Sequence, residues 1–330
     1  MIELLYLAAS SFLLICVALF IALVFNGIER KLVARMQARI GPPIIQPFID
    51  IKKLFMKENI VPDSAIPWLF NSMPAVALAS SLIVLLYIPF GGMPALLQNY
   101  GDLVLVLYVL LLPSLALAIG AFASGSSFAS IGAQREVVLM MSYEFVLSVV
   151  AISLAWLFSL HCPQANAFAF STITSRPAWF MVGGAGFLGL ILLFISSLAV
   201  VPAKAGKLPA DIGEAKTEIA EGVLVEYSGR NLALLYMAQA VRVLAFTSLI
   251  VALFLPWNLS SLIAIPGQLS MLADFLFFLV KVFMVMFASS IFVSAVTARL
   301  KVDQAARFYI IVVFLLSLLG LLLIGIDMLM

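Results

Sequence analysis

Eight stretches of about 20 or more almost uncharged, apolar residues run through this chain, at roughly 3–25, 72–91, 102–123, 136–160, 180–202, 234–256, 272–297 and 306–327. A helix rises about 1.5 Å per residue, so each stretch can cross the roughly 30 Å hydrocarbon core of a bilayer. Inside hydrocarbon a backbone N–H or C=O finds no water, which leaves helices and closed barrels as the spanning forms. The apolar runs are continuous rather than alternating, and so they read as helices. With 65% hydrophobic and 10% charged residues, little polar surface remains for a soluble fold. The predicted fold class is an all-α polytopic membrane protein, a single membrane domain over residues 1–330. It has eight transmembrane helices with amphipathic and acidic loop segments. Residues 1–25 are expected to remain as a span rather than be cleaved as a signal peptide. Their apolar run is too long, and Glu3 stands where a basic start is usual.

Charge placement predicts the orientation. If the first end lies outside, fifteen of the eighteen Lys and Arg residues fall in inner loops, only Arg176 in an outer one, and Arg242 and Lys281 within spans. The positive-inside rule then places both termini outside and the loops at about 26–71, 124–135, 203–233 and 298–305 in the cytoplasm. Topology thus accounts for the cations, and the net charge of +2 points to no nucleic-acid partner.

Two separate cysteines, Cys16 and Cys162, and one histidine, His161, cannot assemble a zinc or iron–sulfur ligand set. No glycine-rich nucleotide loop, nucleophile elbow or HExxH helix occurs. No metal, cofactor or catalytic residue is therefore assigned to this chain. If it serves an oxidation, the electrons are carried by a different chain.

The acids are concentrated. Asp211 to Gly229 carries five of the sixteen, and Asp211, Glu214, Glu218 and Glu221 are spaced 3, 4 and 3 apart. That spacing predicts one stripe on a helix, with Ile212, Ile219 and Val223 on the opposite side. Like charges so placed repel by about 0.2–0.5 kcal/mol per pair, and bound protons relieve the repulsion, making the stripe a candidate proton store. Within the spans, Glu144 follows Glu136 by eight residues, and Arg242 and Lys281 lie deep. Each costs at least about 2.5–3.5 kcal/mol in a bilayer unless it faces a polar interior. Two readings stay open: a buried ion pair of Glu144 with Arg242 or Lys281 that fixes packing, and an ion path. Asp102, Asp274 and Asp327, at outer span ends, read as interfacial.

The first inner loop breaks at Gly41-Pro42-Pro43 and then resumes an amphipathic pattern over 46–58, with Phe48, Ile51, Leu54 and Phe55 at helical spacing. Such a segment is either a helix lying among lipid headgroups or a docking surface.

Four motifs carry a family resemblance. LPADIGEAKTEIAEGVLVEYSG, residues 208–229, resembles the inner-loop signature of the H subunit (subunit 1) of respiratory complex I. AQREVVLMMSYE at 133–144 is similar to that family's fourth-span motif, and ERKLVARMQARIGP at 29–42 and ARLKVDQAARF at 298–308 match its two remaining signatures, in the right order. The short GPPIIQPFID run at 41–50 resembles the membrane-anchor subunit of energy-converting nickel–iron hydrogenases and formate hydrogenlyases. Ala210 before Asp211, and Gly213 where a proline is usual, depart from the quinone-reducing members.

The resemblance implies a non-catalytic subunit, multi-pass in a prokaryotic plasma membrane, that anchors a redox module and couples it to H+ or Na+ translocation. It implies partners: hydrogenase large and small subunits with a nickel–iron centre, a ferredoxin-like subunit with iron–sulfur clusters, and antiporter-like membrane subunits. The proton-coupling set it implies is Glu136, Glu144, Asp211, Glu214, Glu218, Glu221, Glu226, Arg242 and Lys281. The docking set is Glu29, Arg30, Arg35, Arg39, Gln46, Asp50, Lys53, Lys204 and Lys207. Runners-up are the equivalent subunit of a quinone-linked dehydrogenase or a membrane-bound sulfane reductase. A stand-alone secondary transporter is the rival from another class; it needs an inverted repeat, and none is found.

Overall fold

The structure is a computed structural model describing residues 2–162, 166–261, 263 and 268–329. Among the described residues, eight helices are long and apolar enough to cross a membrane. Helix α1 (Ile2–Met36) is followed by the short α2 (Gln46–Met56), then α3 (Pro67–Tyr87), α4 (Leu103–Ala123) and α5 (Ser127–His161). The short α6 (Phe170–Ser175), then α7 (Gly184–Ala205), the single turn α8 (Lys216–Ile219) and α9 (Gly229–Phe254) come next. The seventh span joins α10 (Gln268–Met286) to α11 (Phe292–Val296) through a π turn at Phe287–Ile291. The eighth joins α12 (Val302–Arg307) to α13 (Phe314–Leu329) through a second π turn at Phe308–Val313. The amphipathic segment expected at 46–58 is α2.

Hydropathy finds only the buried length of a span. Helices α1 and α5 each run 35 residues, about 52 Å, well past a bilayer core of about 30 Å. Glu29 to Arg35 and Gln134 to Glu136 therefore sit on helical extensions rather than in loops. Alternation of the spans puts the connections α1–α3, α4–α5, α7–α9 and α11–α12 at one end, called here the loop face. The connections α3–α4, α5–α7 and α9–α10 form the far face.

Helix α9 is the hub. It packs on α1, α2, α3, α4, α7 and α10, and 89% of its most apolar window is buried, against 17% for α1 at the periphery. Small residues allow the closest approach in the bundle. A Cβ added at Gly320 of α13 lies 2.9 Å from the Gly189 carbonyl of α7, and one at Gly189 lies 2.7 Å from the Gly320 carbonyl. With no water to expel between helices, such backbone contact is what holds spans together. Gly320→Val is expected to part α7 from α13 at a cost of about 1–3 kcal/mol, read as a lower melting temperature of the purified protein. An unchanged melting temperature counts against the tight crossing.

Candidate functional site

The site starts with two acids on one helix. Glu136 and Glu144 of α5 are eight residues apart, about 12 Å of rise. Glu136 is 5% exposed, and α9 brings the equally buried Arg242 opposite it. The Arg242 guanidinium lies 4.0 Å from the Glu136 carboxylate and donates to Ser114 Oγ of α4 at 2.9 Å. Ser114 Oγ is 3.5 Å from the Tyr143 hydroxyl. Glu144 pairs with Lys204, near the end of α7, whose side chain is 1% exposed. The Lys204 ammonium stands over the Tyr143 ring at 5.1 Å and the Phe246 ring at 6.0 Å, cation–π contacts that matter most without water. Tyr143 therefore touches both pairs, with its hydroxyl on one and its ring face on the other.

Glycines bring the chain close enough. Helix α7 ends at Gly206 with φ +63, where a Cβ would meet Arg242 Nη2 at 3.3 Å. Glycine adopts that left-handed turn without strain and leaves room for the guanidinium. Gly213 lets the acidic segment approach Glu136, whose Oε2 a Cβ there would meet at 3.0 Å.

The expected stripe of four acids does not form. Only Lys216–Ile219 is α-helical, and Ala220 (φ 48) and Glu221 (φ 74) turn left-handed, ending the helix after one turn. Each such residue costs about 1–2 kcal/mol and must be held by its surroundings. The Val223 N–H donates to the Gly213 carbonyl at 3.2 Å, closing the loop. Ile212, Ile219 and Val223 are buried, on the inner side as expected. The acids then separate. Asp211 pairs with Arg299 at 2.7 Å, Glu218 with Arg135 at 2.5 Å and Glu221 with Lys216 at 2.9 Å. The mutual repulsion that motivated a shared store is relieved by three separate cations instead. Glu226 is half-buried and has no ion pair among the described residues.

Glu214 turns inward, with no ion pair at bonding distance among the described residues. Burial pushes its pKa from 4.5 up to about 8, reinforced by Asp211 and Glu136, while Arg242 and Lys216 pull the other way without cancelling the rise. Burial also raises Asp211, against the opposing pull of Arg299. Glu214 lines two cavities at once. A space of about 20 Å³ beside Arg242 and Gln239 is of the size one water needs. A vestibule of about 540 Å³ opens at the loop face between Arg30, Asp50, Lys53, Lys216 and Glu221.

Several expected site residues stand elsewhere. Glu144 pairs with neither Arg242 nor Lys281 but with Lys204, a residue expected on the docking surface. Lys204 and Glu29 are too buried to touch a docking partner. Glu29 pairs with Lys207 and accepts from Ser290 of the π turn at 2.8 Å, tying α1 to the seventh span. Arg30 pairs with Asp50 at 3.1 Å, and Gln46 donates to Asp50 at 2.8 Å, pinning α2 to α1. Arg35, Arg39 and Lys53 are exposed on the loop face, as expected of docking residues.

Lys281 does not join the group. Its ammonium donates to the carbonyls of Leu255 and Trp257, both at 2.7 Å, at the far end of α9. About 20 Å of helix rise separates Arg242 from Leu255. Asp274 is buried, not interfacial, with both oxygens held by Ser260. Ser114, Tyr143, Arg135, Arg299 and Ser290 were missed by sequence reasoning. Only Tyr143, in the 142–144 motif, carried a signal.

Fold and site define an eight-span helical membrane protein with a connected group of charges sunk beneath one face. A family model described as NADH dehydrogenase matches residues 9–325, and the chain belongs to that family. It is 34% identical over 239 residues to "Hydrogenase-4 component C" of Escherichia coli (strain K12), covering 71% of each chain. It is 30% identical over 306 residues to the H-type membrane chain of the NADH-quinone oxidoreductase of Anaplasma phagocytophilum (strain HZ), covering 84% of each. Among solved structures it superimposes on a chain of the membrane-bound sulfane sulfur reductase, an archaeal respiratory membrane complex. The TM-score is 0.83 at 32% identity, over 96% of this chain and 99% of that one. Eight apolar spans and these relatives make it a multi-pass plasma-membrane protein. Among the described residues, no group of three or more His, Cys, Asp or Glu is placed to hold a metal ion.

Proposed function

We propose that this chain anchors the redox module of a complex I-like oxidoreductase to the membrane and couples its chemistry to H+ or Na+ movement. One observation carries the reading: Glu214 lines both the loop-face vestibule and the inner space beside Arg242, and it holds a proton near neutral pH. A charge change at the vestibule alters Glu214, and Glu214 in turn alters the Arg242–Glu136 pair. Ser114 and Tyr143 extend that contact to Lys204 and Glu144. The loop face points to the cytoplasm, both termini lie outside, and exposed Arg35, Arg39 and Lys53 meet the peripheral module. That module holds the nickel–iron and iron–sulfur centres in hydrogenase-type subunits, and antiporter-like subunits carry the ions.

Seven acidic or basic side chains line the vestibule, a wall ill-suited to a quinone ring and tail. This favours hydrogenase-type over quinone-linked chemistry. The similarity to the sulfane reductase chain supports a second reading, in which the same coupler serves a sulfur-reducing module. Hydrogen or sulfide as the product of the purified complex separates the two.

Coupling is tested in sealed vesicles bearing the whole complex, with redox turnover and ion uptake measured together. Glu136→Gln is expected to keep redox turnover and lose most uptake. Glu218→Gln, which removes only a partly exposed pair with Arg135, is expected to keep both. Full uptake in Glu136→Gln sinks the coupling reading.

A further inference from the structure

A second cavity, of about 300 Å³, lies at the far face, remote from the charge group described above. Its roof is the α3–α4 connection, in which Gly91 and Gly92 take φ +46 and +82 and press on Asp274. A Cβ at Gly91 would come within 2.4 Å of the Asp274 carbonyl. Its walls are fixed. The Met93 N–H donates to the Phe90 carbonyl at 3.0 Å, and the Leu97 N–H donates to the Leu86 carbonyl at 3.0 Å. The Lys281 ammonium lines this cavity at 8% exposure.

An ammonium has three N–H donors. Two go to the Leu255 and Trp257 carbonyls, and the Phe277 ring stands 5.0 Å away. Among the described residues no carboxylate lies within ion-pair distance, and Asp274, two turns earlier on α10, has both oxygens bound to Ser260. A cation placed here without a counter-charge is costly, and an anion entering the cavity removes that cost. The remaining polar groups, Gln98, Ser171 and Asn258, are neutral, while Leu255 and Phe278 make the span-side wall apolar.

We propose that this far-face cavity binds a singly charged phosphate group with an apolar body, the phosphodiester headgroup of a membrane phospholipid, with Lys281 as its anchor. One positive charge matches the single negative charge of a phosphodiester. The neutral amides and hydroxyl suit its remaining oxygens, and the apolar wall suits the glycerol and first acyl carbons. Free inorganic phosphate shares the oxyanion chemistry but lacks the apolar body and carries more than one charge near neutral pH. The proposal is independent of the coupling reading, because no group of the Glu214–Arg242 site takes part.

The test uses the whole purified complex, stripped of lipid in detergent and titrated with a short-chain phosphatidylglycerol, with bound lipid counted by native mass spectrometry. Wild type is expected to bind one lipid that Lys281→Met binds at least about tenfold more weakly. Lys281→Arg, which keeps the charge, is expected to retain it. Excess inorganic phosphate is expected not to displace the lipid. Equal binding by Lys281→Met overturns the site, and ready displacement by phosphate overturns the lipid as its ligand. If Lys281→Met does not assemble, the double variant Gln98→Ala with Asn258→Ala is expected to weaken lipid binding several-fold in an intact complex; unchanged affinity there overturns the proposal.

Discussion

Glu214→Gln is expected to cut redox-driven ion uptake at least tenfold while electron transfer in the peripheral module continues. With a pKa of about 8, Glu214 is roughly nine-tenths protonated at pH 7. It can give up its proton when a cation approaches and regain it when the cation leaves. Glutamine keeps the size and the hydrogen-bonding groups and removes only the titration. A difference infrared spectrum of the wild-type complex should show a protonated carboxyl band that fades as pH rises through about 8, and that band should be missing in the variant. The same shift predicts stability. A carboxyl whose folded-state pKa is raised contributes stability that is fully present below its unfolded value near 4.5 and lost as pH rises through about 8. Wild-type melting temperature should thus decline across that window, and Glu214→Gln should flatten the decline. An identical pH profile in the two proteins removes Glu214 from the proton-binding role.

The largest structural effect is expected at Lys204 and Glu144. Lys204 is 1% exposed and its partner's side chain 20%, so removing either leaves the other charge without its counter-ion in a poorly solvated place. Breaking a buried pair in this way costs about 3–5 kcal/mol. Lys204→Met and Glu144→Gln, each alone, should lower the melting temperature markedly or prevent assembly. Together they leave two neutral groups in contact and should recover much of the loss, because an apolar or neutral replacement of both members is often nearly neutral. If the two single effects simply add, the pair is not a unit. If the double variant folds yet takes up ions normally, the pair serves packing alone, and the path runs through Glu136 and Arg242.

The spans and the first-loop helix were legible because both depend on local quantities: run length, hydropathy, and the 3.6-residue spacing of Phe48, Ile51, Leu54 and Phe55. The acidic segment misled for the same reason. A spacing of 3, 4 and 3 is helical only if the backbone remains helical. Left-handed Ala220 and Glu221 and the close approach of Gly222 to Gly213 end that helix after one turn. Lys281 resembles the acids in being a charge within a span, yet helix direction carries it to the opposite end of the bundle.

By itself the sequence determined that this chain lies in a membrane, with eight helical spans, and that its charges crowd one set of loops, since each of these is a property of consecutive residues. Only the tertiary structure decided which charge meets which. The partners stand 60 residues apart for Lys204 and Glu144, 83 for Arg135 and Glu218, 88 for Arg299 and Asp211, and 178 for Lys207 and Glu29. The packing of α5, α7 and α9 sets those meetings, and neighbours along the chain carry no record of them.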